Sequence, residues 1–500
     1  MSEHGIELPA VEREQLGRAA LAWALDYFGT TAEPPVYPPV RPQELSALVR
    51  EAMPEEPQAL DAVMDQFAAL AALGRKNGHP RMFGYVQSSA SFAGVAADFL
   101  ASALNQNVTS WRSAPSATTV EHQVIDWLKT MAGFDPAGTG VLLSGGSFAN
   151  FAGLAVALRA STDRDLNQHG VAALPGPPRI YTSAMTHMST PKAAAMLGVG
   201  RGAVVQIPVD ADFRMDVTVL AERIAADRAA GCHVVCVVAT AGDVNTGAID
   251  PLDAIADVCR NAGVWLHVDG SYGGFAAGSP HVGGALAGLG RADSLSLDPH
   301  KWLFAPLDVG CLLVRDPKRL RQAFTQGAAY IDVIAGADMP EYAFWDYSPE
   351  LSRRFRALKI WFILKCHGAR ALRAAIDGNI AVAQQLAGLI DASDDFERLA
   401  PVPLSIVCFR YVPASLRLAR RSPWAKAAGP GDHTEALNAF NRALMVAVQR
   451  DGDSYLSNAM IGPHFALRAC IVNFRTTAAD AGHLLATIRR VAARTSAPVW

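Results

Sequence analysis

A lysine and an aspartate that lie thirty-two residues apart carry the clearest chemical signal in this sequence. Lys301 belongs to the segment Asp298-Pro299-His300-Lys301-Trp302, and Asp269 ends the apolar run that comes before it. A lysine amine can condense with a cofactor aldehyde, and a carboxylate can hold a pyridine nitrogen protonated so that the ring accepts electrons. Pyridoxal phosphate enzymes require both groups. The pair therefore predicts pyridoxal 5'-phosphate as the cofactor.

A glycine- and serine-rich turn is the candidate phosphate site. Ser144-Gly145-Gly146-Ser147 follows the apolar stretch Gly140–Leu143 and opens a predicted helix, Phe148–Arg159. Backbone N–H groups at the start of a helix point at anions, and the helix dipole adds positive potential there. Many turns of this kind carry glycine and a serine cap without a ligand. The turn therefore indicates a phosphate site only together with Lys301 and Asp269.

Two histidines are candidates for contacts with the same cofactor. His187 comes just after a predicted strand, Arg179–Thr182, and open α/β sheets bind ligands beyond the carboxyl ends of their strands. Its ring could cover the flat face of the cofactor, while a loop histidine held only by hydrogen bonds is the alternative. His300 is adjacent to Lys301, which favours a contact with the phosphate or the ring.

Short apolar segments alternate with helical patterns from about His79 to Gly368. The predicted strands are Gly140–Leu143, Arg179–Thr182, Ala203–Ile207, His233–Ala239, Val264–Asp269, Ser294–Leu297 and Gly310–Val314. Strands that are apolar on both faces and separated by helices predict a mostly parallel seven-stranded sheet covered on both sides. Beyond Gly368, long helices and separate strands, Leu404–Tyr411 and Phe465–Phe474, predict a smaller α+β domain.

The amino-terminal part of the chain is predicted to be a helical arm. Val11–Tyr27 has an amphipathic pattern, a proline-rich connector follows, and two more helical stretches lie near Pro42–Ala52 and Pro57–Gly74. We expect another subunit to cover the apolar faces of these helices. The predicted organisation is an arm over residues 1–80, a large cofactor-binding domain over 81–375 and a small domain over 376–500.

Composition excludes several kinds of partner. The 500 residues are 50% hydrophobic and carry a net charge of −3, so there is no basic excess that would indicate nucleic acid binding. The basic residues Arg417, Arg420, Arg421 and Lys426 lie among prolines and glycines and are interpreted as a surface loop. We see no signal peptide pattern and no apolar run of membrane-spanning length. Because the seven cysteines are scattered, we expect no disulfide framework and a cytoplasmic location.

Six segments, in this order and spacing, resemble the pyridoxal phosphate-dependent amino acid decarboxylases related to aromatic-L-amino-acid decarboxylase. They are Ser144–Asn150, Tyr181–Lys192, Val238–Leu252, His267–Gly274, Ser296–Gly310 and Ser352–Trp361. The resemblance covers nearly the whole chain and is weakest in the arm and in Val412–Asp432. It implies an α/β architecture of the fold type I PLP-dependent transferase type and a homodimer with shared active sites. The implied reaction is decarboxylation of an L-amino acid to the amine and CO2.

The resemblance also implies roles for single residues. Lys301 matches the lysine that binds the cofactor aldehyde, Asp269 the partner of the pyridine nitrogen and His187 the stacking ring. Further implied cofactor contacts are Gly146, Ser147, Ser271 and His300. Tyr330, in Gln326-Gly327-Ala328-Ala329-Tyr330, matches the mobile-loop tyrosine that protonates the α-carbon after CO2 leaves. An ordinary surface tyrosine is the alternative for Tyr330.

The implied substrate pocket departs from that of the aromatic-specific relatives. Its candidate residues are Tyr85, Val86, Asn107, Thr109 and Arg353. The relatives carry bulkier apolar residues at the counterparts of Asn77, Val86, Asn107 and Thr109, so a more polar or more open pocket is expected here.

Two further features of the resemblance leave questions open. Arg354 and Arg356 lie so close to Arg353 that the sequence does not decide which of the three faces the site. Asp243 and Val244 stand where the family commonly has threonines, so a hydroxyl contact at that point is in question.

Several functions remain open at this stage. An aromatic substrate is favoured by resemblance alone, and a decarboxylase for an acidic or another non-aromatic amino acid is the alternative. An aminotransferase or an aldehyde-forming enzyme would use the same cofactor, but Tyr330 argues against the aldehyde-forming branch. A catalytically inactive binding protein is disfavoured because Lys301, Asp269, His187 and Tyr330 are all present.

Overall fold

A seven-stranded sheet is the largest element of the computed structural model, which describes residues 6–325, 342–414 and 433–495. Its strands are β1 (Thr139–Leu143), β2 (Pro178–Ser183), β3 (Val204–Ile207), β4 (His233–Thr240), β5 (Trp265–Asp269), β6 (Ser294–Leu297) and β7 (Gly310–Val314). They lie in the order β1-β7-β6-β5-β4-β2-β3. The five strands from β3 to β6 in that order are parallel, and β7 is antiparallel to both β6 and β1. The predicted α/β fold with a mostly parallel sheet is confirmed.

Helices cover both faces of this sheet because its strands are apolar on both sides. Those of the sheet region are α4 (Phe92–Leu104), α5 (Pro115–Ala132), α6 (Gly146–Ala160), α7 (Leu166–His169), α8 (Ser189–Met196), α9 (Val217–Ala229), α10 (Leu252–Ala262), α11 (Pro299–Trp302), α12 (Pro317–Phe324) and α13 (Ala357–Asp391). Helix α6 contacts the strands β4 to β7, so its first turn lies at the centre of the sheet edge.

A second sheet, four-stranded and antiparallel, lies near the carboxyl end of the chain. It consists of β8 (Phe396–Arg398), β9 (Ile406–Tyr411), β10 (Ser457–Ile461) and β11 (His464–Cys470), in the order β10-β11-β9-β8. Helices α14 (Thr434–Asp451) and α15 (Ala478–Ala492) complete this region. The predicted strand Phe465–Phe474 ends earlier, at Cys470. Asn473 explains the difference, because its amide donates to Gly78 O and His79 O and draws the chain away from the sheet.

Three helices form the arm: α1 (Ala10–Gly29), α2 (Pro42–Val49) and α3 (Leu60–Ala72). Trp23 of α1 packs edge-on against Phe67 of α3, with ring centroids 4.6 Å apart. None of the three helices has a buried residue, and Leu21 and Leu25 are more than half exposed. The division into three domains remains a prediction, and its second boundary, at residue 375, lies inside α13. No helix in the described ranges is long and apolar enough to cross a membrane.

Candidate active site

A cavity of about 470 Å³ lies at the carboxyl ends of β4, β5 and β6. Eight residues predicted from the sequence line it: Val86, Gly146, Ser147, His187, Asp269, Ser271, His300 and Lys301. The remaining lining residues are Ser144, Gly145, Phe148, Asn150, Thr240, Gly242, Val244, Tyr272 and Asp298. The parallel strands explain the convergence, since the carboxyl ends of such strands meet at one edge of the sheet.

Asp269 ends β5 as a buried carboxylate that accepts several hydrogen bonds. Ser271 N and Ser296 Oγ donate to its Oδ1 over 3.1 and 3.2 Å, and Asn150 Nδ2 donates to its Oδ2 over 2.7 Å. Burial raises the pKa of this carboxyl, but the charge of Lys301 and the hydrogen bonds outweigh burial, so the pKa is below its ordinary value. The ionised carboxylate suits a partner that carries a proton on a ring nitrogen.

Lys301 lies on α11, the short helix that starts directly after β6. Its neighbour Trp302 is buried and donates from Nε1 to Asn379 Oδ1 over 3.1 Å, which anchors the segment. The Lys301 amine faces the cavity and lies 3.0 Å from Asp298 Oδ2. A primary amine held at the cavity wall is the group needed to bind an aldehyde.

His300 lies between the cavity and β7. Its Nδ1 donates to Val309 O over 2.7 Å, which leaves Nε2 on the side of Asp298, 3.6 Å from Oδ2. Burial lowers the pKa of His300, so the ring is neutral at neutral pH.

The first turn of α6 fits a phosphate. A Cβ at Gly146 would lie 2.4 Å from Ser271 Oγ and 2.5 Å from Asp298 Oδ2, so only glycine allows the turn to close against these groups. The start of the helix therefore opens into the cavity together with Ser144 and Ser147. Thr240 Oγ1 is buried at the cavity wall without a hydrogen-bond partner among the described residues. With Lys301 and Asp269, these groups fit pyridoxal phosphate.

His187 follows β2 and lines the cavity. Its Nδ1 is 2.9 Å from Ser189 Oγ and accepts from Ser189 N over 3.2 Å. Burial lowers the pKa of His187, so the ring is neutral at neutral pH. A neutral imidazole with Nδ1 occupied carries its proton on Nε2.

The departure at Asp243 and Val244 has a structural explanation. The Asp243 carboxylate accepts from Asn245 N over 2.7 Å and from Ala248 N over 2.8 Å, and it is also bonded to Thr246. Asp243 therefore holds its own turn together, and Val244 presents an apolar side chain to the cavity. The wall has no hydroxyl group at Val244, although Thr240 supplies one nearby.

Arg353, a predicted substrate contact, lies away from the cavity of the same chain. Its guanidinium is only 1% exposed, pairs with the fully buried Glu121 and also donates to Leu142 O and Val108 O. These bonds hold the guanidinium away from the cavity and fix the loop that contains Val108. Arg354 and Arg356 do not line the cavity either, as Arg356 pairs with Glu350.

The other predicted pocket residues lie away from the cavity of the same chain. Asn107 accepts from Arg353 N over 2.8 Å, and Thr109 is hydrogen-bonded to Ser113. Tyr85 is 45% exposed and lies under the Arg75 guanidinium. Their substrate contacts remain predictions, as does the role of Tyr330, which lies outside the described residues.

The sequence reasoning missed Arg468 on β11. This buried guanidinium donates from Nε to Ser457 Oγ over 3.1 Å and from Nη1 to the carbonyl of Val244, at the cavity wall. The hydrogen-bond partners of its side chain among the described residues, Ser457 and Val244, are both uncharged. An arginine inside the apolar strand pattern of Phe465–Cys470 was the signal that could have identified it.

A larger cavity, of about 660 Å³, lies at the opposite edge of the sheet, where β4 and β5 begin. None of the predicted site residues line it. Arg228 there donates to Ala262 O at the end of α10, and Arg291 pairs with Asp257. Arg228 thus compensates the carboxyl end of α10 and Arg291 is neutralised by a carboxylate, so the chemistry remains at the smaller cavity.

Comparison with known proteins agrees with this geometry. The model of the pyridoxal-dependent decarboxylase conserved domain matches residues 42–412. An aromatic-L-amino-acid decarboxylase from Bacillus atrophaeus is 34% identical over 501 residues, which cover 99% of this chain and 98% of that protein. Two crystal structures, of mouse CSAD and of Oryza sativa TDC with PLP and tryptamine, match with TM-scores of 0.88 and 0.86. Both are 28% identical and cover 97% of this chain and 99% of theirs. The chain therefore belongs to the pyridoxal-dependent decarboxylase family and is a pyridoxal phosphate-dependent amino acid decarboxylase.

Proposed function

We propose that this decarboxylase acts on an L-amino acid with an aromatic side chain and works as a cytoplasmic homodimer. The lining of the cavity carries the substrate proposal. Val86, Phe148, Val244 and Tyr272 give it an apolar wall, and Lys301 is the only lysine or arginine among its described lining residues. An acidic side chain would need a further cation, whereas an aromatic ring gains from apolar contacts.

Different residues around the cavity have different roles towards the cofactor. When bound, pyridoxal phosphate supplies an aldehyde that binds amines and a ring that stores the electron pair left by CO2. Lys301 would bind the aldehyde and give way to the substrate amine, and Asp269 would keep the proton on the ring nitrogen. The first turn of α6 would bind the phosphate, and the His187 ring would lie against the cofactor.

Arg468 is our candidate for binding the substrate carboxylate, although its guanidinium lies behind Val244 and not among the residues that line the cavity. It is buried, and its side-chain partners among the described residues, Ser457 and Val244, are uncharged. A buried cation without an anionic partner is costly, and a carboxylate ligand would compensate that cost. Tyr330 then returns a proton to the α-carbon.

The exposed apolar surface supports the homodimer. Leu21, Leu25 and Phe67 of the arm are between 43% and 55% exposed, and Phe99 and Leu104 of α4 are 69% and 55% exposed. Large apolar side chains in such number are typical of a subunit interface. We expect a variant that begins at Gly78 to sediment as a monomer and to lose activity; a fully active dimer would contradict the arm's role.

A substrate panel tests the proposed function. The purified enzyme, loaded with cofactor, is given L-tryptophan, L-tyrosine, L-phenylalanine, L-glutamate and L-aspartate, and released CO2 is measured. We expect the highest kcat/KM for one of the three aromatic amino acids. Faster release from glutamate or aspartate would overturn the substrate proposal. The Lys301→Ala variant measures background release.

Tyr330→Phe tests the type of reaction. The change removes the phenolic proton and preserves the ring, so CO2 release continues while amine formation falls. Dissolved O2, together with water, then oxidises the unprotonated product to aldehyde, ammonia and hydrogen peroxide. The measurement is the ratio of amine to aldehyde. Tyr347→Phe is the matched control, since Tyr347 stacks on Tyr342 and does not line the cavity. A wild-type ratio in the Tyr330→Phe variant would show that another group donates the proton.

A further inference from the structure

Asn150 of α6 is held by three different side chains. Its Nδ2 is 2.7 Å from Asp269 Oδ2 and 3.0 Å from Ser189 Oγ, and its Oδ1 is 3.0 Å from His267 Nε2. An ionised carboxylate only accepts hydrogen bonds, so the NH2 group of Asn150 must face Asp269. The amide oxygen therefore faces His267, and His267 must carry its proton on Nε2.

The hydrogen bonds on the other side of His267 agree with this assignment. Ser294 Oγ is 2.8 Å from His267 Nδ1 and accepts from Trp265 Nε1 over 2.9 Å. Since Ser294 uses its oxygen for Trp265, its own proton is free for Nδ1. Burial lowers the pKa of His267 to about 4, so the ring is neutral at neutral pH. The hydrogen bonds therefore all run in one direction: Trp265 donates to Ser294, Ser294 to His267, His267 to Asn150, and Asn150 to Asp269.

A branch of the same chain reaches His187. Ser189 Oγ accepts from Asn150, so its hydroxyl proton is directed to His187 Nδ1, 2.9 Å away. The backbone N–H of Ser189 also donates to Nδ1. The proton of the neutral His187 ring is therefore on Nε2. One arrangement of Asn150 thus sets both Asp269 and His187.

We propose that Asn150 and His267 are positioning residues for the decarboxylation. Because the Nε2–H group of His267 bonds the amide oxygen of Asn150, the NH2 group of Asn150 faces Asp269 and Ser189. Asp269 then remains a hydrogen-bond acceptor, and His187 keeps its proton on Nε2. The inference rests on the roles proposed above for Asp269 and His187. Packing supports it, because a Cβ at Gly153, one turn after Asn150, would lie 2.6 Å from the His267 ring, so the ring packs against the backbone of α6 at a position that only glycine allows.

Three variants test the network. In His267→Phe the ring remains but the Nε2 donor is lost, so Asn150 Oδ1 is unsatisfied and the amide is no longer held on the side away from Asp269. In His267→Gln a side-chain NH2 replaces the donor. In Asn150→Asp a second carboxylate stands beside Asp269. The ionisable groups that face Asp269 are Lys301, His187 and Asp298 on the cavity side, and His267 behind Asn150.

The first measurement is the absorbance of the bound cofactor as a function of pH, which needs no substrate. It therefore tests the network separately from the proposed reaction. We expect His267→Gln to follow the wild-type titration and His267→Phe and Asn150→Asp to shift it. The second measurement is kcat against KM. We expect kcat to fall roughly tenfold in His267→Phe, the order expected when a buried acceptor loses its donor, and about a hundredfold in Asn150→Asp, with KM changed less.

Asn441→Asp is the matched control, because Asn441 is a buried amide that bonds Tyr411 and lies in the small sheet region. It should lower thermal stability and leave the titration unchanged. A wild-type titration and kcat in His267→Phe would overturn the proposal, and so would equal damage in His267→Phe and His267→Gln. If His267→Phe does not fold, 15N NMR of histidine-labelled wild-type enzyme decides, with His267→Gln identifying the signal. The Nε2–H form supports the proposal, and the Nδ1–H form refutes it.

Discussion

Asp269 and Asp298 stand at the ends of the neighbouring parallel strands β5 and β6, and their surroundings differ. Both carboxylates are buried and line the same cavity as Lys301. Asp269 accepts from Ser271, Ser296 and Asn150, all uncharged donors that belong to the protein framework. Asp298 is bonded through Oδ2 to the Lys301 amine, and its buried Oδ1 has no partner among the described residues.

The difference shows that the same position in the fold supports two functions. The hydrogen-bond donors of Asp269 do not include Lys301, so they support its negative charge independently of the lysine amine. Asp298 depends on Lys301, whose amine would be bound to the cofactor aldehyde and set free again when the substrate amine replaces it. We infer that Asp298 receives the lysine in the steps in which its amine is free.

Lys301→Ala should have the largest effect, because it removes the cation that both carboxylates face and the amine that binds the cofactor. We expect a colourless protein with turnover at the level of the background, measured by absorbance and CO2 release. Lys365→Ala, on the exposed side of α13 next to Trp361, is the control and should remain yellow and active. A yellow and active Lys301→Ala variant would disprove the assignment.

Asp269→Asn should reduce turnover by about a hundredfold or more and leave the fold intact, since a neutral amide no longer holds the ring nitrogen protonated. The measurement is kcat with saturating cofactor, together with the circular dichroism spectrum as a check of folding. Wild-type turnover would mean that Asp269 is only structural.

Asp298→Asn should have a smaller effect on turnover, within about tenfold, because the framework bonds of Asp269 remain in place. We expect the apoprotein to bind added pyridoxal phosphate severalfold faster, since the lysine amine is released from its ionic partner. Stopped-flow absorbance measures that rate. If Asp298→Asn were as inactive as Asp269→Asn, the two carboxylates would not differ in the way described.

Acid should destabilise the fold through two buried histidines, one of which, His267, belongs to the network behind Asp269. Burial lowers the pKa of His267 and of His79 to about 4, below the ordinary value of 6.5. The unfolded chain therefore binds these protons first, so their stability contribution is complete above about pH 6.5 and decreases as the pH falls towards 4. For His267 this amounts to on the order of 1–3 kcal/mol. Urea unfolding of the apoprotein at several pH values measures it, and His267→Gln should flatten the profile between pH 6.5 and 4.

Local patterns allowed the sheet and the centre of the site to be predicted from the sequence. Lys301, Asp269, His187 and Gly146 each lie within a few residues of a strand end, and every strand of the large sheet was predicted to within about one or two residues. Short-range periodicity and turn chemistry specify such features without knowledge of distant contacts.

Long-range contacts explain what the sequence reasoning missed. Asn150 and His267 are 117 residues apart, and their bond exists only because α6 crosses the sheet above β5. The ion pair of Arg353 could not be predicted either, because its partner Glu121 is 232 residues away and buried. A cluster of arginines near a motif does not reveal whether a distant acidic residue forms a buried ion pair with one of them.

The glycines around the site also define what a protein engineer can change. A methyl group at Gly146 would collide with Ser271 and Asp298, one at Gly153 with His267, and one at Gly310 with the backbone of Gly145. Mutational libraries aimed at new substrates should therefore keep these three positions fixed. Diversity belongs at Val86, Phe148 and Val244, whose side chains shape the cavity wall without supporting the groups that bind the cofactor.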